Sequence, residues 1–250
     1  MPIKQDSKDQ EISELLERRL GRTYARQRLG IEHDHEQRVF GEGINFFHIE
    51  NWYLSPTIIR NALRLVGLYG RGQRNAERVQ VRENIVRSHR VPLNFDGFTI
   101  LHISDMHVDM NEGAMHRLRT LLPELSYDIC VLTGDYRGKT FGPFDAALDG
   151  LAQVRARLKG PVYGVLGNHD TICMVPGLES MGIRMLLNES EPIRRQGEHI
   201  YLAASMTLTT TVSIISRKRL LRFPMEQFLS YFRIPLKYIG RRLTPGSIFC

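Results

Sequence analysis

Six side chains in this sequence could do chemistry together. Asp105 and His107 sit two apart after one apolar run, Asp135 closes a second, and Asn168, His169 and Asp170 follow Gly167 after a third. Carboxylate, imidazole and amide donors in this mixture suit hard-to-borderline divalent ions such as Mn²⁺, Fe²⁺, Zn²⁺ or Co²⁺. Taken singly, each group also reads as ordinary turn chemistry, because Gly-Asp and Gly-Asn mark turns. Their recurrence at intervals of about 30 residues after three successive apolar runs favours one shared metal site.

Those groups need elements that deliver them to one place. Phe98–Ile103, Asp128–Thr133 and Val162–Leu166 have the continuous apolar character of strands buried on both faces. Between them, Glu112–Leu122 and Asp145–Leu158 read as helices. Strand, helix, strand, helix, strand predicts parallel βαβ units and an α/β fold, with helices layered on the sheet. Right-handed crossovers bring the carboxyl ends of such strands to one edge, where ligands bind in open α/β sheets. Upstream, Val79–Val91 alternates partially and predicts a strand leading into this domain, followed by Pro92 and a turn at Asp96-Gly97.

Residues 1–78 read as a helical, amphipathic extension. Ile12, Leu15, Leu16 and Leu20 recur at helical spacing within residues 9–30. His33, Asp34 and His35 lack a second ligand pair nearby and read as a solvated helix end or loop. Residues 44–70 interleave Phe46, Phe47, Trp52, Tyr53, Ile58, Ile59, Leu63 and Tyr69 with Arg60 and Arg64. A segment of that kind lies in a membrane interface or packs on a core, and the pattern alone fits both. Gly70-Arg71-Gly72 is expected to break it. No apolar run reaches the roughly 18 residues of a membrane span, the N-terminus lacks a signal peptide's apolar core, and three scattered cysteines predict a reducing compartment. The expected location is cytoplasmic, with peripheral contact at the inner membrane left open.

The net charge of +7 invites a nucleic-acid partner, but its location argues against one. From Ser205 onward eight basic residues face Glu226 alone and carry the whole excess, so residues 1–204 are neutral overall. A chain-wide basic footprint for DNA or RNA is therefore missing.

As a set, Asp-x-His, Gly-Asp and Gly-Asn-His-Asp, each after a buried strand, resemble the calcineurin-like metallophosphoesterases. The likeness covers residues 79–204 and is strongest to a bacterial, membrane-associated branch with a membrane-proximal N-terminal segment before an Ile-Ser-Asp-x-His strand. It implies two divalent metal ions. Asp105 and His107 would ligate the first, Asp135 would bridge, and Asn168 would ligate the second. His169 would touch the phosphate and act as general acid, and Asp170 would orient His169. A phosphomonoester or diester substrate follows, with a lipid-linked or UDP-acylated-sugar pyrophosphate among the choices.

The resemblance also implies ligands that this sequence lacks, namely a His after a further strand and a closing Gly-His-x-His. No histidine follows His199. After Ala203 the composition turns Thr- and Ser-rich, and Met206–Ser216 sustains no helix or strand period. Permitted codons for Ala204–Ser216, read one base out after a preceding G, spell Gly-Ile-Asp-Asp-Pro-His-Tyr-Tyr-Arg-Val-Asp-Asn-Ile, which resembles the family's continuation. The same shift over Ser230–Gly240 allows Ile-Leu-Leu-Ser-His. Residues 205–250 are thus expected to be a non-native, frame-shifted tail that leaves the phosphoesterase C-terminally truncated. The competing expectation is a catalytically inactive remnant or a peripheral membrane-binding protein.

Overall fold

The computed structural model describes residues 12, 14–23, 25–26, 29–30, 55–88, 91–205, 211–216, 219–222 and 229–233. Backbone proximity divides the chain into two units, Met1–Val79 and Gln80–Cys250.

In the first unit the described residues between 12 and 30 are helical apart from Gly21, whose φ is +81°. Glu17 pairs with Arg22 at 3.3 Å and Arg26 at 3.0 Å. Two further helices follow, α1 (Ser55–Leu65) and α2 (Tyr69–Ala76). The chain turns at Gly67, with φ +71°, and α2 then runs through Gly70-Arg71-Gly72, which the sequence reading took as a break. Gly67 supplies the left-handed residue that ends a helix, whereas Gly70 and Gly72 have no positive φ. His33, His35 and residues 44–54 lie outside the described residues.

The second unit holds a six-stranded and a four-stranded sheet. Its elements are β1 (Arg82–Ile85), β2 (Thr99–Ile103), α3 (Glu112–Leu121), β3 (Ile129–Leu132), α4 (Asp145–Arg155), β4 (Val162–Gly164), α5 (Val175–Ser180), β5 (Ile183–Met185), β6 (Ser190–Arg195), β7 (Glu198–Ser205), β8 (Thr211–Ser216), β9 (Arg219–Arg222) and β10 (Leu229–Arg233). The first sheet is ordered β1-β10-β2-β3-β4-β5, with β2 to β5 parallel, and the second is the antiparallel run β6-β7-β8-β9. The α/β expectation holds, and the three strands and two helices expected around the site fall within a few residues of their places.

Ile100, Ile129 and Val131 from the parallel sheet share one buried cluster with Ile193, Ile200 and Leu202 from β6 and β7, so the two sheets face each other. Alternate residues Leu101, Cys130 and Leu132 are also fully buried, so β2 and β3 are covered on both faces. Each such aliphatic side chain contributes roughly 1.5–3 kcal/mol by leaving water. Asn111 starts α3 by accepting the Ala114 amide at 3.0 Å.

Beyond residue 204 the chain does form strands. Thr211, Val212, Ile214 and Ile215 are β-branched, which suits a pleated strand even without strict alternation, and β8 lies beside β7. β10 sits between β1 and β2, antiparallel to β2, with Arg233 opposite Thr99. Its carboxyl end therefore lies at the edge remote from Asp105. Among the described residues 211–233 there is no Asp, Glu or His.

Candidate metal centre

Three strand ends build the centre. β2 runs into Ser104-Asp105-Met106-His107, β3 into Thr133-Gly134-Asp135, and β4 into Val165-Leu166-Gly167-Asn168-His169-Asp170. Backbone bonds fasten the first end to the second: the Asp105 amide donates to Gly134 O at 3.2 Å, His107 to Asp135 O at 3.0 Å, and Val108 to Tyr136 O at 2.9 Å. The second and third ends meet glycine to glycine. Gly134 has φ +93°, and a Cβ there would overlap the Gly167 backbone; a Cβ on Gly167 would overlap the Asp135 carboxylate.

Asp105, His107 and Asp135 each offer a donor atom, and these atoms all lie within 4.8 Å of one another. All three residues adopt left-handed backbone, with φ of 52°, 39° and 52°, where side chains other than glycine rarely sit. Strain of this kind persists where the surroundings over-determine it, and it clusters at functional sites. His107 Nδ1 faces Arg137 O at 2.8 Å. A carbonyl only accepts, so Nδ1 carries the proton and Nε2 is left bare, as a metal ligand requires. The Ser104 hydroxyl donates to the Asp105 carboxylate. Two carboxylates and one bare imidazole nitrogen at this spacing fit a hard-to-borderline divalent cation.

The third strand end stands beside them. Asp135 Oδ1 accepts the His169 amide at 3.0 Å, and the His107 and His169 rings meet edge to face with centroids 5.1 Å apart. Asn168 is exposed and lies between Gly167 and His169, both held against Asp135. Asp170 departs from the sequence reading. It is buried, and it accepts the Tyr136 amide at 2.9 Å, the Arg137 amide at 3.4 Å and the Gly167 amide at 2.9 Å. Burial pushes its carboxyl up to about 6, against the opposing pull of the Gly167 amide. It staples the β3 and β4 loops together, while Nδ1 of His169 meets Thr140 Oγ1 at 3.0 Å.

Sequence reasoning missed Arg137, Thr140 and Ser104. Arg137 is buried and donates from Nε to His169 O at 2.6 Å, from Nη1 to Gly142 O at 3.1 Å, and from Nη2 to Thr140 O. The available signal was an arginine two places past the aspartate of a Gly-Asp loop, which spacing alone cannot tell from a solvated one.

Comparison with known proteins agrees with this frame. The family model for calcineurin-like phosphoesterase matches residues 98–232, more than half of the chain. A transmembrane protein with metallophosphoesterase domain from Danio rerio is 29% identical over 113 residues, 42% of this chain and 25% of that relative. The chain thus spans about a quarter of the curated relative it matches. With three βαβ strand ends gathered around Asp135, and a family match running through all of them, the chain belongs to the calcineurin-like phosphoesterases, a family of metal-dependent phosphoester hydrolases.

Proposed function

We propose that this chain hydrolyses phosphoesters with two divalent metal ions, one held by Asp105, His107 and Asp135 and the other by Asp135 and Asn168. The observation that carries the reading is the trio of donor atoms within 4.8 Å on left-handed backbone. Divalent ions in such a site polarise phosphoryl oxygens and make a water acidic enough to attack. Around them, Asp135 ties the two halves through its carboxylate, and His107 presents Nε2. His169 donates a proton to the leaving oxygen. Asp170 keeps the His169 loop in place. The test is Mn²⁺-stimulated hydrolysis of an aryl phosphodiester by the wild type and by Asp135→Asn. We expect stimulated turnover in the wild type alone; equal, near-zero rates would reject catalysis by this chain.

For the substrate we infer a lipid-linked phosphoester or pyrophosphate, of which a UDP-acylated-sugar lipid is one form. Support comes from α1 and the turn after it, where Ile58, Ile59, Leu63, Leu65, Val66 and Leu68 are exposed beside Arg60 and Arg64. Among the described residues no helix is long and apolar enough to cross a membrane, and an amphipathic segment of this kind binds a membrane by lying in its interface. Co-flotation with anionic vesicles, lost in Ile59→Glu/Leu63→Glu, is the expected result; no flotation sinks it.

A second reading concerns residues 205–250, which we propose are translated out of frame after a one-base deletion near codon 204. The abrupt change of composition and the neighbouring-frame peptides support it, whereas the family match, which runs on to residue 232 in the given frame, weighs against it. The strand-forming residues of β8 are compatible with it, because β-branched side chains favour strands whatever their origin. On this reading the chain is an inactive remnant until the frame is restored. Sequencing the coding DNA across codons 200–250 decides the matter, and absence of a phosphoesterase continuation in the neighbouring frame ends it.

A further inference from the structure

Both histidines of the centre are gripped by one short loop. The Arg137 carbonyl accepts from His107 Nδ1 at 2.8 Å, while its buried side chain reaches His169 O at 2.6 Å and the carbonyls of Thr140 and Gly142. The Thr140 and Gly142 carbonyls on this guanidinium close residues 137–142 into a tight loop, and the His169 carbonyl ties that loop to the β4 end. That loop sets the half-buried Thr140 hydroxyl 3.0 Å from Nδ1 of His169. Gly138, in the same loop, donates its amide to Asp109 Oδ1 at 2.7 Å, which ties the loop to the segment following His107.

We propose that Thr140, on the loop anchored by Arg137, is the positioning residue for His169: its hydroxyl donates to Nδ1 and keeps the neutral ring's proton on Nε2. The two histidines are then held in opposite tautomers by neighbouring atoms of one loop. A carbonyl, which only accepts, fixes His107 with Nε2 bare to bind a cation. A hydroxyl, which is able to donate, fixes His169 with Nε2 protonated to give a proton. The use of that proton rests on the phosphoesterase reading, whereas the tautomer itself does not.

Long-range ¹H–¹⁵N spectra of metal-free wild type, Thr140→Val and Thr140→Ser test it. They are recorded at about pH 8.5, above the ordinary imidazole range. The expected wild-type pattern for His169 is a pyridine-type Nδ1 and a pyrrole-type Nε2, retained in Thr140→Ser and replaced by a tautomer mixture in Thr140→Val, with His107 unchanged. A protonated Nδ1 in the wild type, or the same pattern in Thr140→Val, overturns the proposal. Hydrolysis reads the consequence separately. Thr140→Val should lower kcat about 10-fold with KM nearly unchanged, more for an alkyl than for a nitrophenyl leaving group, with Thr140→Ser restoring it. Loss of the tautomer preference with kcat unchanged would refute the positioning role. The expected spectra with no turnover in any variant would instead refute the phosphoesterase reading, leaving the tautomer assignment standing.

Discussion

The two halves of the proposed metal edge are built by different means. Asp105, His107 and Asp135 are set by the main chain: left-handed φ at all three and inter-loop amide bonds of 3.0–3.2 Å aim their side chains. Asn168 and His169 have no positive φ and are held through side chains instead, by Asp135 Oδ1, Asp170, Arg137 and Thr140. A ligand set written into strained backbone is pre-arranged before any ion arrives. A set held by side-chain bonds is adjusted by single substitutions. The first half should thus bind metal on its own, while the second should depend on its neighbours.

Asp135→Asn should break both halves at once, with a loss of about 100-fold or more in Mn²⁺-stimulated hydrolysis. Calorimetric Mn²⁺ titration sharpens the contrast: Asn168→Ala should keep one binding event that Asp105→Ala abolishes. Equal damage from Asn168→Ala and Asp105→Ala would erase the difference between the halves.

Next in size is the frame between them. Gly134→Ala forces a Cβ into Gly167 at φ +93° and should cost about 3 kcal/mol. Gly142→Ala, at φ +86° with nothing near its added Cβ, should cost only about 1 kcal/mol. Denaturant titration of both variants separates overlap from backbone strain.

Acid should then undo the support beneath the first half. His102 on β2 is buried against Thr133, with Nε2 and Oγ1 2.8 Å apart, and burial lowers its pKa from 6.5 to about 4, partly opposed by the Asp105 carboxylate. A histidine with a depressed folded pKa favours its neutral form. Its stabilisation is complete above 6.5 and shrinks as the pH falls toward 4, by roughly 3 kcal/mol in all. His102→Gln should flatten that slope in thermal melts run across the window; an unchanged slope would remove His102 as its source.

The smallest effect is a control. Asn111→Ala removes the α3 cap and should lower stability by about 1 kcal/mol without changing Mn²⁺ affinity. A changed affinity would mean that α3 helps to aim His107.

Much of this was legible in the residues. Apolar runs marked β2, β3 and β4, and the polar residues at their ends marked the first half of the centre, because burial on two faces and chemistry at an edge both leave local traces. The second half was read less well. Asp170 looked like a partner for His169, but its acceptors are filled by three amides from two loops, a relation no sequence spacing encodes. Arg137 and Thr140 were invisible for the same reason, since a loop that folds back on itself has no period. The α2 boundary was misplaced because glycine permits both helix and turn, and only φ decides. β8 went unread because its β-branched residues do not alternate with polar ones.

The contact of Gly134 with Gly167 has an evolutionary side. Neither position tolerates a larger residue while the other loop stays where it is, so the floor of the centre is closed to gradual change. Variation that retunes such an enzyme toward new substrates has to enter elsewhere, through exposed positions such as Met110 and Lys139 that lie beyond the strand ends without bearing the proposed ligands. A library confined to Met110 and Lys139 would sample specificity while sparing the Thr140, Asp109 and Gly142 contacts that hold the loop.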